Sequence, residues 1–392
     1  MKSHGLKGGS IVIAVPDYLP SLGGTTRQSQ NQAKSCDAWG IKPIILTQRI
    51  DRSWPRRELV DGVEVVRIGP SSRGKLAMKI FVFNSAIWMR RNRAQIALVN
   101  AVMYPDLAVG ARLAGFRHRT IICWAGLGDA TDALGERGNF LRRTMVRMRR
   151  RLLRDVSHVV LTDALAQELS ALGITEHVHP IPTQVDSDQF RPPTPTEREA
   201  TRDALRLSDE EVAVIYVGHV RELKRIDLLI EGFASSYAND QRLRMYIVGG
   251  SRDDLEDRTQ QLTALSISLG LKDVVEFVGQ VDDVRRYLHA ADIFVLPSER
   301  EGLSNSVIEA MATGLACVVP ISASGDQILT SRTGIVPETN SAVELATAIS
   351  SLVTDPELRR SLGEAAAVES LRYSVQAVGE MYRSLYESLW RA

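Results

Sequence analysis

Residues 293–320, IFVLPSEREGLSNSVIEAMATGLACVVP, constrain the fold of this 392-residue chain more than any other stretch. Ile293 to Leu296 is a short apolar run that predicts a buried strand, and Ala316 to Val319 predicts another. Between them, Asn305 to Thr313 has helical periodicity, and Gly314 stands where a left-handed residue commonly ends a helix. A strand–loop–helix–strand unit of this length indicates a crossover between parallel strands, and therefore an α/β domain.

The loop between the first strand and the helix carries the polar residues of this unit. A glycine-containing loop that leads into a helix offers backbone N–H groups and the positive end of the helix dipole to an anion, commonly a phosphate. Glu301 and Glu309 frame this loop, and carboxylates accept hydrogen bonds from sugar hydroxyls. The combination suits a sugar nucleotide. The alternative is that Ser306 and Glu309 form a capping box and that Glu301 is a solvated surface acid.

The spacing Glu301-x7-Glu309 within EGLSNSVIEAMATG resembles the E-x7-E signature of the GT-B-fold retaining glycosyltransferases of family 4, also called glycosyl transferases group 1. The resemblance covers nearly the whole chain and is sharpest from Val214 to Gly363. It implies an α/β, GT-B fold: two Rossmann-like doubly wound domains facing a central cleft, with a C-terminal helix crossing back to the first domain. It also implies a retaining hexosyltransferase that uses a nucleotide diphosphate sugar in polysaccharide or glycolipid biosynthesis.

Length and composition indicate how the chain is divided. A chain of this length predicts two or more domains, and the Pro-rich stretch HPIPTQVDSDQFRPPTPTEREA predicts a linker with its boundary near Pro192–Thr196. Residues 1–190 carry 27 Lys and Arg against 16 Asp and Glu, whereas residues 191–392 carry 21 against 31, which indicates different partners. With the family's roles, we expect an acceptor-binding domain at 1–190, a donor-binding domain at 191–372 and a returning helix at 373–392.

A cationic loop follows the first predicted strand of the second domain, Ala213–Val217. Ligands of open α/β sheets bind outside the carboxyl ends of the strands, and two cations there suit a diphosphate, although an exposed loop also carries cations as plain surface charges. The two cations are Arg221 and Lys224, and the resemblance matches them to an Arg–Lys pair of the family. It implies that Arg221, Lys224 and Glu301 are the catalytic groups. The implied donor site adds backbone amides and a ribose-binding carboxylate, contributed by Gly302, Leu303, Ser304, Asn305 and Glu309.

A diglycine in the first domain has the same strand–loop–helix context. Gly23-Gly24 follows the predicted strand Ser10–Val15 and precedes a helical stretch, so its backbone is able to approach a phosphate closely, although a plain turn also explains it. The resemblance includes Gly23 and Gly24 in the donor site. Ala125 stands where many members have a histidine, and so does Asn100-Ala101. Two alternatives stay open: a sugar-nucleotide epimerase on the same fold and, because of Ala125, a donor-binding subunit that lacks transfer activity.

The segment from Arg142 to Arg154 contains seven arginines interleaved with apolar residues at helical spacing. Such a helix is able to lie on an anionic membrane surface, and the alternative is a solvated face packed on its own sheet. No nucleic-acid motif accompanies the arginines, so we expect no nucleic-acid partner. The expected partners are a nucleotide-sugar donor, an acceptor sugar or lipid-linked glycan, and an anionic membrane surface contacted through Arg142–Arg154.

The remaining composition bears on compartment and cofactors. The three cysteines are scattered, which is typical of thiols in a reducing compartment and not of a disulfide framework or zinc site. No apolar run approaches the ~18 residues of a spanning helix. We therefore expect a cytoplasmic protein, peripheral on the inner face of the membrane. No group of acids or histidines has metal-ligand spacing, so no metal or other cofactor is expected.

Overall fold

The structure is a computed structural model that describes residues 9–21, 23–135, 140–250 and 257–391. By its internal contacts the chain divides into two compact units. Unit 1 comprises Met1–Gln184 together with Ser374–Ala392, and unit 2 comprises Val185–Tyr373. The first boundary, which the sequence predicted at residue 190, falls after Gln184 in this division.

Unit 1 is built on a largely parallel sheet. Its described residues form an eight-stranded sheet in the order β3-β4-β2-β1-β5-β6-β7-β8, in which only the β3–β4 pair is antiparallel. The central strands are continuous apolar runs, as expected where helices cover both faces of a parallel sheet. The strands are β1 Ser10–Ala14, β2 Pro43–Gln48, β3 Arg57–Val60, β4 Val63–Ile68, β5 Ile96–Val102, β6 Thr120–Trp124, β7 Ser157–Val160 and β8 Val178–Pro180.

The helices of unit 1 connect these strands. Strand β1 pairs in parallel with β2 on one side and with β5 on the other. The strands that follow β1 in the chain are added on the β2 side, and those from β5 onward are added on the opposite side, so the switch point of the sheet lies between β1 and β5. Such a switch point is where open α/β sheets bind ligands, and the Gly23-Gly24 loop follows β1 there. The helices are α1 Gly24–Ala38, α2 Lys75–Arg91, α3 Pro105–Leu113, α4 Asp129–Leu134, α5 Phe140–Leu153 and α6 Asp163–Ala171.

Unit 2 has a parallel sheet of its own. Its described residues form six strands in the order β11-β10-β9-β12-β13-β14. The strands are β9 Val212–Val217, β10 Leu243–Val248, β11 Val275–Gly279, β12 Ile293–Val295, β13 Ala316–Val318 and β14 Gly334–Ile335. The helices are α7 Pro195–Ala204, α8 Ile226–Asn239, α9 Thr259–Ser268, α10 Arg285–Ala290, α11 Asn305–Ala312, α12 Gly325–Ile328, α13 Ala342–Thr354 and α14 Pro356–Ser370.

Helix α7 begins inside the Pro-rich stretch that was predicted to be a linker. Thr194 accepts a hydrogen bond from the backbone N–H of Glu197 (3.2 Å), and the Glu197 carboxylate accepts one from the backbone N–H of Thr194 (2.7 Å). This capping box, with Pro195 in the first turn, starts a helix at residue 195. The boundary expected at Pro192–Thr196 is therefore corrected, since that stretch opens a helix of unit 2.

The last helix, α15 (Val375–Arg391), belongs to unit 1 although it follows unit 2 in the chain. It packs on α1 and β5 and buries a stripe of apolar and aromatic side chains. This confirms the expected return of the C-terminal helix to the first domain. The two α/β units, each on its own sheet, likewise confirm the expected fold.

Candidate functional site

The switch point of unit 2 lies between β9 and β12. These strands pair in parallel through Val214–Ile293 and Ile215–Phe294, while β10 and β13 lie on their outer sides. The loops that follow β9 and β12 therefore leave the same edge of the sheet side by side. One loop carries Arg221 and Lys224 and the other carries Glu301, so the topology brings together residues that are distant in sequence.

Lys224 and Glu301 form an ion pair at this edge. The Lys224 ammonium donates to a carboxylate oxygen of Glu301, and their side chains are only 19% and 16% exposed. Lys224 ends a short 3₁₀ turn, Glu222–Lys224, of which Arg221 is the preceding residue. The interpretation of Glu301 as a solvated surface acid is wrong, because its carboxylate is mostly buried and paired.

Hydrogen bonds hold the two loops together. The carbonyl oxygen of Leu223 accepts from the backbone N–H of Glu299 (2.9 Å) and from the hydroxyl of Ser298 (3.2 Å). The hydroxyl of Ser324 donates to the carbonyl oxygen of Glu301 (2.9 Å). The ion pair is therefore built on fixed backbone. Ser298 and Ser324 were not predicted from the sequence, because a serine that joins two loops has no local signature.

Helix α11 follows directly and carries Glu309. Its N-cap is Ser304, whose side chain makes no capping hydrogen bond, and Ser306 lies inside the helix. The capping-box interpretation of Ser306 and Glu309 is therefore wrong. Glu309 lies on the buried side of the helix at 7% exposure, whereas a capping glutamate lies on the first turn. The first turn of α11 directs backbone N–H groups and the positive end of its dipole out of the same edge of the sheet.

Tyr216 and His219 also lie near this edge. Burial raises the pKa of the Tyr216 phenol well above its usual value, and the charge of Glu301 raises it further. The Tyr216 hydroxyl donates to the carbonyl oxygen of His219 (2.8 Å), and His219 Nδ1 lies 3.1 Å from the carbonyl oxygen of Gly250. Tyr216 therefore remains a neutral donor, and His219 links the loops that follow β9 and β10.

In unit 1, Gly23 and Gly24 begin α1 after β1, as expected, with no side-chain cap at Gly23. Ala125 follows β6, and the backbone N–H of Gly126 donates to Asp129 (2.9 Å). Asn100 is fully buried and donates to Gln32 (2.9 Å), so it is part of the interior and does not face an open edge. Unit 1 thus contains the two glycines, and unit 2 contains the other predicted donor residues.

Two family models match the chain. The model described as "Glycosyl transferase 4-like domain" matches residues 23–184, and the one described as "Glycosyl transferases group 1" matches residues 197–368. The chain belongs to the GT-B-fold glycosyltransferases of family 4. The first match lies within unit 1 and the second within unit 2.

Among curated relatives, D-inositol 3-phosphate glycosyltransferase 2 of Catenulispora acidiphila is 29% identical over 237 residues. That match spans 57% of this family-4 chain and 54% of the relative, so the chain spans about half the length of such relatives. Among solved structures, sucrose-phosphate synthase from Thermosynechococcus elongatus superposes with a TM-score of 0.78 at 20% identity, covering 98% of this chain and 99% of that one. HepE of Anabaena in complex with UDP-glucose superposes with a TM-score of 0.75 at 16% identity, covering 96% and 99%.

The arginines of α5 have two different environments. Three of them donate to carbonyl oxygens at the end of α4: Arg142 to Asp132 (3.4 Å), Arg149 to Ala133 (2.7 Å) and Arg150 to Leu134 (2.7 Å). Arg149 also pairs with Asp106 (2.8 Å). The others lie on an exposed face with three apolar side chains, and this face comprises Phe140, Arg143, Met145, Arg147, Met148 and Arg151.

The described residues contain no grouping of three His, Cys, Asp or Glu side chains that could hold a metal ion. None of their helices combines the length and the apolar composition that crossing a bilayer requires. Cys36, Cys123 and Cys317 are buried free thiols, and burial raises the pKa of each.

Proposed function

We propose that this glycosyltransferase is a hexosyltransferase that transfers a sugar from a nucleoside diphosphate sugar to an acceptor hydroxyl, with retention of anomeric configuration and without a metal. The observation that carries the proposal is the Lys224–Glu301 ion pair at the switch point of unit 2, beside Arg221 and the first turn of α11. One place thus offers cations to a diphosphate and carboxylates to hydroxyls.

The proposed roles follow from the chemistry of each group. Arg221 and Lys224 neutralise the diphosphate as it leaves, which is an electrostatic task in a partly water-excluded site. Glu301 accepts hydrogen bonds from hydroxyls of the transferred sugar, and Glu309 accepts them from the ribose. The backbone amides of residues 302–305 bind sugar or phosphate oxygens. Unit 1, which carries most of the excess positive charge, is proposed to hold the acceptor.

The proposed reaction needs no side-chain base. The bond from the anomeric carbon to the phosphate oxygen breaks while the acceptor oxygen bonds to that carbon on the same face. The departing phosphate oxygen takes the acceptor proton. Retention and a base-free site are carried over from the family resemblance, and they are compatible with Ala125 at the position where many members have a histidine.

Donor binding is expected to depend on Glu309 and on the Arg221/Lys224 pair, because we place them at opposite ends of the nucleotide. Glu309→Ala, and Arg221→Ala with Lys224→Ala, should each weaken binding by ~1.5–3 kcal/mol per lost charged hydrogen bond. Calorimetry with UDP-, GDP- and ADP-sugars measures this, with the exposed Glu299→Ala as control. If the parent chain binds a donor and either the Glu309 variant or the Arg221/Lys224 double variant binds it with the same affinity, the assignment of these residues to the donor site is wrong.

Transfer is expected to survive excess EDTA, because the cation pair stands where a metal would otherwise neutralise the diphosphate. The anomeric coupling constant of the product, measured by NMR, should match that of the donor. Loss of activity in EDTA with rescue by Mg²⁺ or Mn²⁺ would contradict the role of the cations. Release of free sugar without an acceptor would favour the epimerase, and binding without turnover would favour a donor-binding subunit.

We also propose that the enzyme is cytoplasmic, that it is peripheral on the inner face of the membrane, and that it acts on a sugar or lipid-linked glycan acceptor. The observation that favours it is the exposed face of α5, where Phe140, Met145 and Met148 are 83%, 52% and 59% exposed beside Arg143, Arg147 and Arg151. Cations attract anionic headgroups, and apolar side chains insert at the boundary of the acyl chains.

Vesicle co-sedimentation tests the membrane proposal. Each cation near an anionic surface is worth about 1 kcal/mol, so replacing Arg143, Arg147 and Arg151 by glutamine should weaken binding about 100-fold. The matched control replaces three exposed arginines elsewhere in unit 1, Arg52, Arg56 and Arg91. If vesicle binding does not depend on anionic lipid or on salt concentration, or if it weakens equally in the control variant, the exposed face of α5 is a solvated surface and not a membrane-binding one.

A further inference from the structure

We propose that Glu301 is the counter-ion that Lys224 exchanges for the donor diphosphate, and that this exchange makes the site favour the intact donor over the nucleoside diphosphate product. The inference rests on the proposed function, since its ligand is a nucleoside diphosphate sugar. It concerns a feature of the site that the proposed ligand-binding roles of Lys224 and Glu301 do not explain: the two side chains form an ion pair with each other.

The pair is a built contact. Both side chains are mostly buried, at 19% and 16% exposure. Their loops are joined through the carbonyl oxygen of Leu223 and held through that of Glu301. Exposed ion pairs between long flexible side chains contribute little, whereas a partly buried charge that loses its partner retains a desolvation cost. Neither Lys224 nor Glu301 can therefore lose the other without a replacement.

A diphosphate supplies that replacement for Lys224 but not for Glu301. When the ammonium turns to the phosphate oxygens, the Glu301 carboxylate is left partly buried and close to new negative charge. The sugar of an intact donor compensates, because its hydroxyls donate to the carboxylate. A nucleoside diphosphate has no such hydroxyls to offer at this position. Glu301 should therefore favour the donor and expel the product after transfer.

The inference predicts effects of opposite sign in one variant. Glu301→Gln removes the competing charge, so it should bind UDP about three- to tenfold tighter than the parent chain and UDP-glucose several-fold more weakly. GDP with GDP-mannose serves as a second ligand pair. Isothermal titration calorimetry gives the four affinities, and a thermal unfolding curve establishes that each variant is folded. Steady-state inhibition by UDP should strengthen in parallel.

Glu299→Gln is the matched control. It removes the same charge from the same loop, but the Glu299 side chain is exposed, and the hydrogen bond by which Glu299 joins the two loops is made by its backbone N–H. It should change either affinity less than twofold. If Glu301→Gln does not fold, Glu301→Asp keeps the charge and shortens the side chain, and it should shift both affinities in the same directions by less.

The outcomes separate the inference from the function beneath it. If the parent chain binds donor and product but the Glu301 variant binds UDP no tighter, the exchange is wrong and the proposed function stands. The same holds if Glu299→Gln reproduces the effect, since the cause would then be net charge. If the parent chain binds neither member of either ligand pair nor any other nucleotide sugar, the proposed function fails and the exchange fails with it.

Discussion

At the scale of single residues, Asp292 joins three parts of unit 2. It stands just before β12, and its carboxylate accepts hydrogen bonds from Arg198 (2.7 Å), Arg202 (3.3 Å) and the backbone N–H of Ala213 (2.8 Å). Arg202, which is 5% exposed, also donates to the carbonyl oxygens of Ala290 and Glu211. The set fastens α7 to the strands whose opposite ends carry the candidate site.

Replacing Asp292 by alanine should destabilise unit 2 by about 3–5 kcal/mol, because it leaves the buried guanidinium of Arg202 without its carboxylate. Arg198 loses the same partner, but its side chain is 34% exposed and therefore contributes less. Urea unfolding measures the change. Glu357→Ala is the matched control, since its pair with Arg360 is 79% and 65% exposed, and such pairs contribute about 0–1 kcal/mol. Equal losses in the two variants would show that burial does not distinguish these ion pairs.

His158 is a fully buried histidine with both ring nitrogens engaged. Nδ1 accepts from the indole N–H of Trp124 (3.0 Å), so Nε2 carries the proton and donates to the carbonyl oxygen of Leu153 (3.1 Å). Burial lowers the pKa of His158 to about 4, although the hydrogen bond to Leu153 opposes the shift. The neutral ring thereby links β6, β7 and the end of α5.

Unit 1 should lose stability as the pH falls from about 6.5 to about 4. In this window the unfolded chain binds a proton at His158 and the folded chain does not, so acid favours unfolding, by about 3 kcal/mol once the pH is below both pKa values. The unfolding free energy of His158→Phe, measured over the same window, should lack this contribution. A parallel pH dependence in the two proteins would contradict the assignment.

At the scale of elements, helix α5 stabilises the neighbouring helix α4 through some of its arginines and carries an exposed face with the others. Three of its arginines, Arg142, Arg149 and Arg150, donate to the last carbonyl oxygens of α4. These oxygens lack partners within their own helix and carry the negative end of its dipole. The six-residue helix α4 is too short to be stable alone. The arginines of α5 therefore contribute directly to its stability.

Replacing both Arg149 and Arg150 by glutamine should speed amide hydrogen exchange in α4, Asp129–Leu134, by about tenfold or more, since two charged hydrogen bonds are lost. Hydrogen–deuterium exchange measured by mass spectrometry resolves this segment. The control variant replaces Arg143 and Arg151, which lie on the exposed face of the same helix, by glutamine. Faster exchange in the control alone would reverse the assignment of the two faces.

At the scale of the whole molecule, α15 completes unit 1. Its buried face includes Val378, Tyr382, Leu385 and Tyr386, and burial raises the pKa of both tyrosines well above the usual value. The Asn100 amide lies 3.4 Å from the Tyr386 hydroxyl. The last helix thus supplies part of the core of the first unit.

Tyr386→Ala should destabilise unit 1 by about 3–5 kcal/mol and leave unit 2 unchanged, because the cavity and the lost contacts lie within unit 1. Differential scanning calorimetry should resolve one lowered transition. Leu371→Ala is a surface control, since that side chain is 56% exposed in unit 2. A loss that falls on unit 2 would contradict the division of the chain.

Local sequence determined much of this protein. Apolar runs, helical periodicity and the glycines at turns predicted the strands and helices around Glu301 and Gly24, because each depends on neighbours in the chain. The spacing of Glu301 and Glu309 identified the family. Even α7 had a local signal, the capping box at Thr194 and Glu197, which the interpretation as a linker overlooked.

Tertiary structure alone decided how these parts meet. Lys224 and Glu301 are 77 positions apart, and they pair only because β9 and β12 are neighbours in the sheet. The two faces of α5 were likewise hidden, since an arginine that caps α4 and one that faces water have the same local pattern. Pairing between distant strands and helices depends on which surfaces pack together, and a local pattern does not specify that choice.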